Sequence, residues 1–265
     1  MSAGLDRERM LDAIEAQAGL VRFALTGDGD GDDGDGGDGS DGAGGGADVG
    51  APVPSCPGWT VHDLVVHLGT ANWWGGANVR EANPEGRARG MREVMESAPP
   101  ACAGADALAR WYADLVVVAN KTYTDADLDA PAWTFAGPGR AGYWLRRQLH
   151  ETAIHRWDLE AALRGVAGTT PLMDDVAMDG IDEFCTALRP VLDLVKPPLP
   201  VTIRLRAGDR EWSLRGAEGT GEVEVAGTAE TLLLLLWGRV GRDADLEVVG
   251  DVAGLDAALE VGLSN

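Results

Sequence analysis

The stretch 149-LHETAIHRWDLEAA-162 decides the fold prediction, because it combines a helical apolar pattern with ionisable residues on one face. Glu151 and His155 are four residues apart, about 40° around a helix axis, so their side chains converge on one spot. His150 lies about 100° from Glu151 and points elsewhere. The spacing predicts a helix over 142–164 with an inward seam that is polar in its middle. The seam residues are Trp144, Gln148, Glu151, His155, Leu159 and Ala162.

The other two of the chain's four histidines stand in the segment 61-VHDLVVHLG-69. Thr60 suits the N-cap of a helix, and Asp63 suits its first turn. The pattern predicts a helix to about residue 80, with one inward stripe. The stripe residues are Leu64, His67, Ala71 and Trp74. His62 lies about 140° from His67, so we expect it at the surface.

Two more helices are predicted in this half of the chain. Apolar residues repeat at helical spacing over about 5–25, and a further helix is predicted over about 104–122. Four helices that each carry an apolar stripe favour a four-helix bundle. The Gly- and Pro-containing stretches 83–100 and 129–142 are predicted to be loops.

An Asp/Gly-rich segment, 27–50, separates the first two helices. It holds eight Asp and no Lys or Arg, so it buries no apolar surface and is predicted to be a disordered insertion. A calcium loop that starts at Asp28 would need Gly at its sixth position and an acid at its twelfth. Those positions hold Asp33 and Gly39, so the pattern does not match.

The pattern changes in the C-terminal part of the chain. Alternating apolar and polar residues predict strands, between segments with helical spacing. The predicted elements are helix 173–189, strands 199–208, 210–216 and 221–227, helix 228–237, strand 246–249 and helix 252–261. The chain is therefore predicted to be α+β, with a helical bundle domain over 1–168 and a smaller α+β domain over 169–265.

Composition excludes several classes of function. The net charge of −21 repels nucleic-acid phosphates and anionic membrane surfaces. The N-terminus does not have the pattern of a signal peptide, and the longest aliphatic run, Leu232 to Leu236, is too short to span a bilayer. The three cysteines are widely spaced, which favours a reducing compartment. We therefore expect a cytoplasmic protein that binds neither nucleic acid nor membrane.

The inward stripes raise the question of what satisfies their ionisable groups. A carboxylate and two imidazoles cost several kcal/mol to bury unpaired. One explanation is a Glu–His pair on a partly exposed face, with a separate core histidine. The other is a metal ion held by His67, Glu151 and His155, because two histidines and a carboxylate form catalytic zinc and non-haem iron(II) sites. Spacing alone leaves both open.

Residues beside these three have similar alternatives. Asp158, three after His155, could orient a ligating imidazole or pair with an arginine. Asp63 has the same two interpretations beside His67, and His150 is either a donor to the site or exposed. Cys56 is interpreted as structural, because no partner base is apparent. Five tryptophans flank the proposed site, namely Trp59, Trp73, Trp74, Trp144 and Trp157.

Two motifs together resemble a known family. The run 53-VPSCPGWTVHDLVVHLG-69, followed by 146-RRQLHETAIHRWDLEAA-162, resembles the mycothiol-dependent maleylpyruvate isomerase family. The C-terminal part fits as well, including 231-TLLLLLWGR-239. The resemblance implies a DinB-like metal-binding four-helix bundle followed by a sterol-carrier-like α+β domain. Segment 27–50 departs from the family, in which this connection is short.

The resemblance also implies a site. A metal ion, normally zinc, would be held by His67, Glu151 and His155, and Arg239 would reach towards the cleft as a catalytic residue. Mycothiol would be the thiol cosubstrate. Zinc bound to the thiol sulfur stabilises the thiolate near neutral pH. A basic residue such as Arg239 would hold a substrate carboxylate.

The implied reaction has two forms. The thiolate adds to a cis double bond conjugated with a carbonyl, the resulting single bond rotates, and elimination gives the trans isomer. The same thiolate could instead attack an electrophile in an S-transfer reaction. The partners would then be a small thiol and a small electrophilic or unsaturated acid. The alternatives are a non-catalytic small-molecule binder or regulator, and a metal-dependent hydrolase that needs no thiol.

Overall fold

The chain divides into two compact units. The computed structural model describes residues 4–27 and 46–264. One unit comprises Asp6–Thr170, and the other comprises the residues from Pro171 onward with a few N-terminal residues. In the described part of the chain, no helix is long and apolar enough to cross a membrane.

The division of the chain into two compact units does not test two predictions made from the sequence. Most of the predicted disordered insertion 27–50 lies outside the described residues. The two units are defined by their internal contacts. The assignment of residues 1–168 and 169–265 as two domains stays a prediction.

The first unit is the predicted bundle. Its helices are α1 (Arg7–Thr26), α2 (Val61–Glu81), α3 (Met91–Glu96), α4 (Ala105–Asp125) and α5 (Gly142–Arg164). Helices α1 and α2 each pack against both α4 and α5, so the four long helices surround one core. The stripe predicted on α1 supplies Ile14, Val21 and Leu25, which are fully buried. The α+β fold class with a helical bundle is therefore confirmed.

The cap at the start of α2 sets where the site-bearing helix begins. The Thr60 hydroxyl accepts a hydrogen bond from the Asp63 backbone N–H at 3.2 Å, and the Asp63 carboxylate accepts one from the Thr60 backbone N–H at 2.9 Å. This reciprocal pair is a capping box, which satisfies two backbone donors that the helix itself leaves unpaired. Asp63 therefore stabilises the helix start, and the interpretation that it orients His67 is wrong.

Replacement of Thr60 by alanine is expected to destabilise the bundle by about 1 kcal/mol, because the cap hydroxyl is lost. Thr60→Ser keeps the hydroxyl and is expected to stay close to wild type. Urea unfolding followed by helical circular dichroism measures both variants. Equal midpoints for the alanine and serine variants would contradict the role of this cap.

Two stretches predicted as loops contain regular structure. Helix α3 lies within 83–100, and an antiparallel hairpin of β1 (Pro131–Thr134) and β2 (Gly137–Arg140) lies within 129–142. The loop predictions were wrong there because four-residue strands with Gly and Pro are too short to show an alternating pattern. Tertiary contacts fix the hairpin instead, since the Trp144 indole N–H donates to the Trp133 carbonyl at 2.6 Å.

The second unit is a four-stranded sheet with helices. Its elements are α6 (Asp174–Glu183), a π-helical turn (Phe184–Leu188), α7 (Arg189–Leu192), β3 (Thr202–Ala207), β4 (Arg210–Leu214), β5 (Glu222–Ala226), α8 (Ala229–Leu236), β6 (Glu247–Gly250) and α9 (Val252–Val261). The strand order is β4-β3-β5-β6, with β3 and β5 parallel and the other pairs antiparallel. Inward residues alternate along β3, as predicted.

The single helix predicted over 173–189 is interrupted. The π-helical turn follows α6, and Phe184 at its start is fully buried, with its ring 5.8 Å from that of Trp237. A π turn inserts one extra residue into the helical register. Apolar spacing does not reveal such an insertion, so the prediction of one regular helix was wrong.

Candidate metal centre

The bundle brings three of the predicted site residues together. The Glu151 Oε1 atom lies 2.8 Å from His67 Nε2 and 3.3 Å from His155 Nε2. One donor atom from each residue lies within 4.8 Å of the other two. Because α2 and α5 are packed neighbours, spacing of four on α5 and one histidine on α2 suffice to form this donor cluster.

The opposite edge of the His155 ring contacts a carboxylate. His155 Nδ1 lies 2.8 Å from Asp158 Oδ2, which confirms the contact behind the prediction that Asp158 orients this imidazole. Asp158 also accepts from the Ser55 hydroxyl at 2.6 Å and from the Cys56 thiol at 3.7 Å. The turn before α2 is thus tied to the site, although the sequence predicted no partner for Cys56.

One charged residue was missed by the sequence analysis. The Arg147 side chain is only 4% exposed, and its Nη2 atom lies 2.9 Å from Glu151 Oε2. The guanidinium therefore neutralises the carboxylate oxygen that does not face the two imidazoles. The signal was present in the sequence, because Arg147 and Glu151 are four residues apart on a helix.

The electrostatics of the cluster favour the charged forms of Glu151 and His155. Burial by itself raises the pKa of Glu151, but hydrogen bonds from His155 and His67 and the charge of Arg147 hold it well below its usual range. Burial lowers the pKa of His155, but its partners Asp158, Cys56 and Glu151 raise it well above the usual value. Both shifts favour the charged forms of the pair, a carboxylate on Glu151 and an imidazolium on His155.

Aromatic rings cover the cluster on one side. The Trp59 ring lies 4.9 Å from that of His67 and 6.3 Å from that of His155, and the latter pair is stacked. Trp74 and Trp144 are held elsewhere, in an aromatic cluster with Trp133, Phe135 and Tyr143. Five tryptophans were expected to flank the site. Among the described residues, Trp59 is the one whose ring contacts the rings of His67 and His155.

Two histidines for which a surface position was considered are more buried than that. His150 is 1% exposed, so the interpretation of it as an exposed residue fails. His62 is half-buried, and its Nε2 atom lies 2.9 Å from the Pro99 carbonyl oxygen. Neither belongs to the three-residue donor cluster.

Arg239, the predicted catalytic arginine, lies just after α8 in the second unit. Its Nη1 atom donates to the Trp237 carbonyl at 2.6 Å, and its guanidinium lies 5.9 Å from the Trp237 ring centre. These contacts hold it locally, and its catalytic role stays a prediction.

The donor chemistry fits a metal ion. Two imidazole nitrogens and one carboxylate oxygen are the ligands of catalytic zinc sites, which keep a further position open for substrate. The donor atoms of Cys56, His155 and Asp158 also lie within 4.8 Å of one another. Both groups of donors include His155. The Nδ1 atom of His155 contacts Asp158, whereas its Nε2 atom faces Glu151.

A four-helix bundle with histidine and glutamate donors on two adjacent helices fits the DinB-like class. Comparison with family models is more specific. The mycothiol maleylpyruvate isomerase N-terminal domain matches residues 41–160, and the MDMPI C-terminal domain matches residues 175–257. The chain belongs to the mycothiol-dependent maleylpyruvate isomerase family.

Solved structures agree with the fold. The chain is similar to a crystal structure of the mycothiol-dependent maleylpyruvate isomerase, with 16% identity, a TM-score of 0.64 and 93% of each chain covered. It is also similar to a histidine-to-alanine mutant of such an isomerase, with 17% identity, a TM-score of 0.60 and the same coverage of 93%. No curated protein matches the sequence.

Proposed function

We propose that this protein is a zinc- and mycothiol-dependent enzyme that activates a thiolate, either for cis–trans isomerisation or for transfer to an electrophile. The observation that carries the proposal is the convergence of His67 Nε2, Glu151 Oε1 and His155 Nε2 within 4.8 Å. Family membership supports the thiol and a maleylpyruvate-type acid as substrates. A cytoplasmic location fits an enzyme that uses a reduced thiol.

Three residues would hold the ion, and two others set the charge and the protonation of these ligands. His67, Glu151 and His155 would hold the metal, which when bound supplies a Lewis acid that lowers the pKa of a thiol. Arg147 keeps Glu151 ionised, and Asp158 holds the proton on His155 Nδ1. Trp59 covers the rings and limits access of water on that side.

The substrate would be bound by its carboxylate. We propose Arg239 for this role, because a guanidinium binds carboxylates in a bidentate manner. In the isomerisation, the thiolate adds to the double bond, rotation follows about the new single bond, and elimination returns the thiolate. In the transfer reaction the thiolate either displaces a leaving group from the electrophile, or adds to its double bond and the resulting carbanion takes a proton from water, and the new carbon–sulfur bond is kept.

The proposal is tested by metal content and by thiol dependence. Purified protein is expected to contain stoichiometric zinc, and to isomerise maleylpyruvate or consume a generic electrophile when mycothiol is added. A metal-free native protein would overturn it. Turnover without any thiol would instead indicate a hydrolase, and a metal-loaded protein with no thiol chemistry would indicate a binding protein.

Zinc binding is expected to release about one proton per ion at pH 7, because ligands must be deprotonated. The raised pKa of His155 favours an imidazolium before the metal binds, with protons towards Asp158 and Glu151. His155 gives up the Nε2 proton when that nitrogen becomes a ligand. Apparent zinc affinity should therefore increase as pH rises towards the pKa of His155, and level off above it.

Calorimetry in two buffers with different ionisation enthalpies measures this proton count. The His62→Ala variant serves as a control that keeps all three donors and should release the same number of protons. Zinc binding without proton release at pH 7 would contradict the assigned ionisation state.

A further inference from the structure

Asp158 is a fully buried carboxylate whose two oxygens are used differently. It is 0% exposed. Its Oδ1 atom accepts from the Ser55 hydroxyl at 2.6 Å, and its Oδ2 atom accepts from His155 Nδ1 at 2.8 Å. The Cys56 thiol approaches Oδ2 at 3.7 Å. A buried carboxylate is costly unless several donors satisfy it, so this arrangement fixes all four residues relative to one another.

The two histidines of the donor cluster differ in their support. His155 has a carboxylate on the edge of the ring that faces away from Glu151. In the described residues, the contacts of His67 are its bond to Glu151 and the ring contacts with Trp59 and His155. In the described residues, a carboxylate from outside the donor cluster therefore contacts His155 and not His67.

The turn that carries Ser55 and Cys56 also carries the ring that covers both histidines. The Cys56 carbonyl accepts a hydrogen bond from the Trp59 backbone N–H at 3.0 Å. Trp59 in turn stacks on His155. A change in the contact between this turn and Asp158 would thus alter the orientation of His155 and the position of Trp59 together.

We propose that Ser55, Cys56 and Asp158 form a positioning layer for the metal centre. Asp158 keeps the proton of His155 on Nδ1, so that the Nε2 lone pair is directed towards His67 and Glu151. Ser55 and Cys56 hold Asp158 from the turn before α2. The inference rests on the proposed function for its metal, and it assigns no ligand role to Cys56.

Asp158→Ala is expected to weaken zinc binding about 10–100-fold, as loss of a carboxylate behind a ligating histidine does. Asp158→Asn can still accept from Nδ1 through its amide oxygen, so a smaller loss is expected, and Ser55→Ala should also lose less than Asp158→Ala. Glu160→Gln is the matched control, because Glu160 is also a fully buried carboxylate of α5 but contacts Arg156, Arg164 and Thr170. It should keep wild-type zinc affinity.

Zinc affinity is measured by competition with a chelator, and NMR of nitrogen-15-labelled histidine reports whether His155 Nδ1 carries a hydrogen-bonded proton. Wild type should show that proton with and without zinc, and Asp158→Ala should lose it. Wild-type affinity in Asp158→Ala, or an equal loss in Glu160→Gln, would overturn the proposal. Should Asp158→Ala not fold, the Asp158→Asn and Ser55→Ala proteins give the same two measurements.

Cobalt substitution separates this role from direct ligation by Cys56. The proposal expects no sulfur-to-cobalt charge-transfer band in the Co²⁺ protein without added thiol. Such a band, lost in Cys56→Ala, would make Cys56 a ligand and overturn the proposal. Absence of zinc from wild type would instead defeat the proposed function, and the NMR signal of the metal-free protein would still decide whether Asp158 positions His155.

Discussion

The His67→Ala variant is expected to bind zinc about 60- to 700-fold more weakly than wild type and to lose thiol-dependent turnover. A structural zinc site with four protein ligands contributes about 10–16 kcal/mol, or roughly 2.5–4 kcal/mol for each ligand. Loss of one ligand therefore corresponds to a factor of about 60 to 700, at about 1.4 kcal/mol per tenfold change. The fold should survive, because the His67 side chain is 38% exposed and its removal leaves no closed cavity.

His62→Ala is the matched control for this variant. Both histidines lie on α2, and both have Nε2 within hydrogen-bond distance of an oxygen, which is the Pro99 carbonyl for His62 and the Glu151 carboxylate for His67. Only the second belongs to the donor cluster. Zinc affinity by chelator competition and turnover with mycothiol should thus separate the two. Equal zinc affinity in both variants would show that the ion, if bound, is held elsewhere.

The fold and the central donors could be predicted from local patterns in the sequence. Spacing of four on α5 and an apolar stripe on α2 were sufficient to select Glu151, His155 and His67, because side-chain direction in a helix follows residue number. The cap of α2 was predictable for the same reason, since Thr60 and Asp63 are three residues apart. Arg147 could have been found by this reasoning too.

The surroundings of the site could not be predicted in this way. Ser55 and Asp158 are separated by 103 residues, and only tertiary packing brings a turn next to a helix at that distance in sequence. The exposed alternative for His150 was wrong for another reason. Helix α5 is buried on every face between Gln148 and Glu160, apart from partial exposure at Glu151, so a residue turned away from the seam is still inside the protein. Stripe analysis assumes one solvent-facing side, which this helix lacks.

The same burial encloses the charged side chain of Arg156. Its side chain is 0% exposed. Its Nε atom donates to Gln17 on α1 at 2.8 Å, and its Nη1 atom donates to Glu160 at 2.7 Å and to the Thr170 carbonyl. The network links α1, α5 and the segment after α5 through hydrogen bonds to charged groups, which are stronger than neutral ones.

Replacement of Arg156 by methionine is expected to destabilise the bundle by about 3–5 kcal/mol, because the Glu160 carboxylate is left buried without its partner. The double variant Arg156→Met with Glu160→Gln removes both charges and should regain part of that loss. Arg164→Met is the matched control, since Arg164 also contacts Glu160, at 2.6 Å, but its side chain is 38% exposed. Because Glu160 keeps its bond to the buried Arg156 when Arg164 is removed, the loss for Arg164→Met is expected to be about 0–1 kcal/mol. Urea unfolding of the zinc-free proteins measures all three, and equal losses for Arg156→Met and Arg164→Met would show that burial of the pair does not set its contribution.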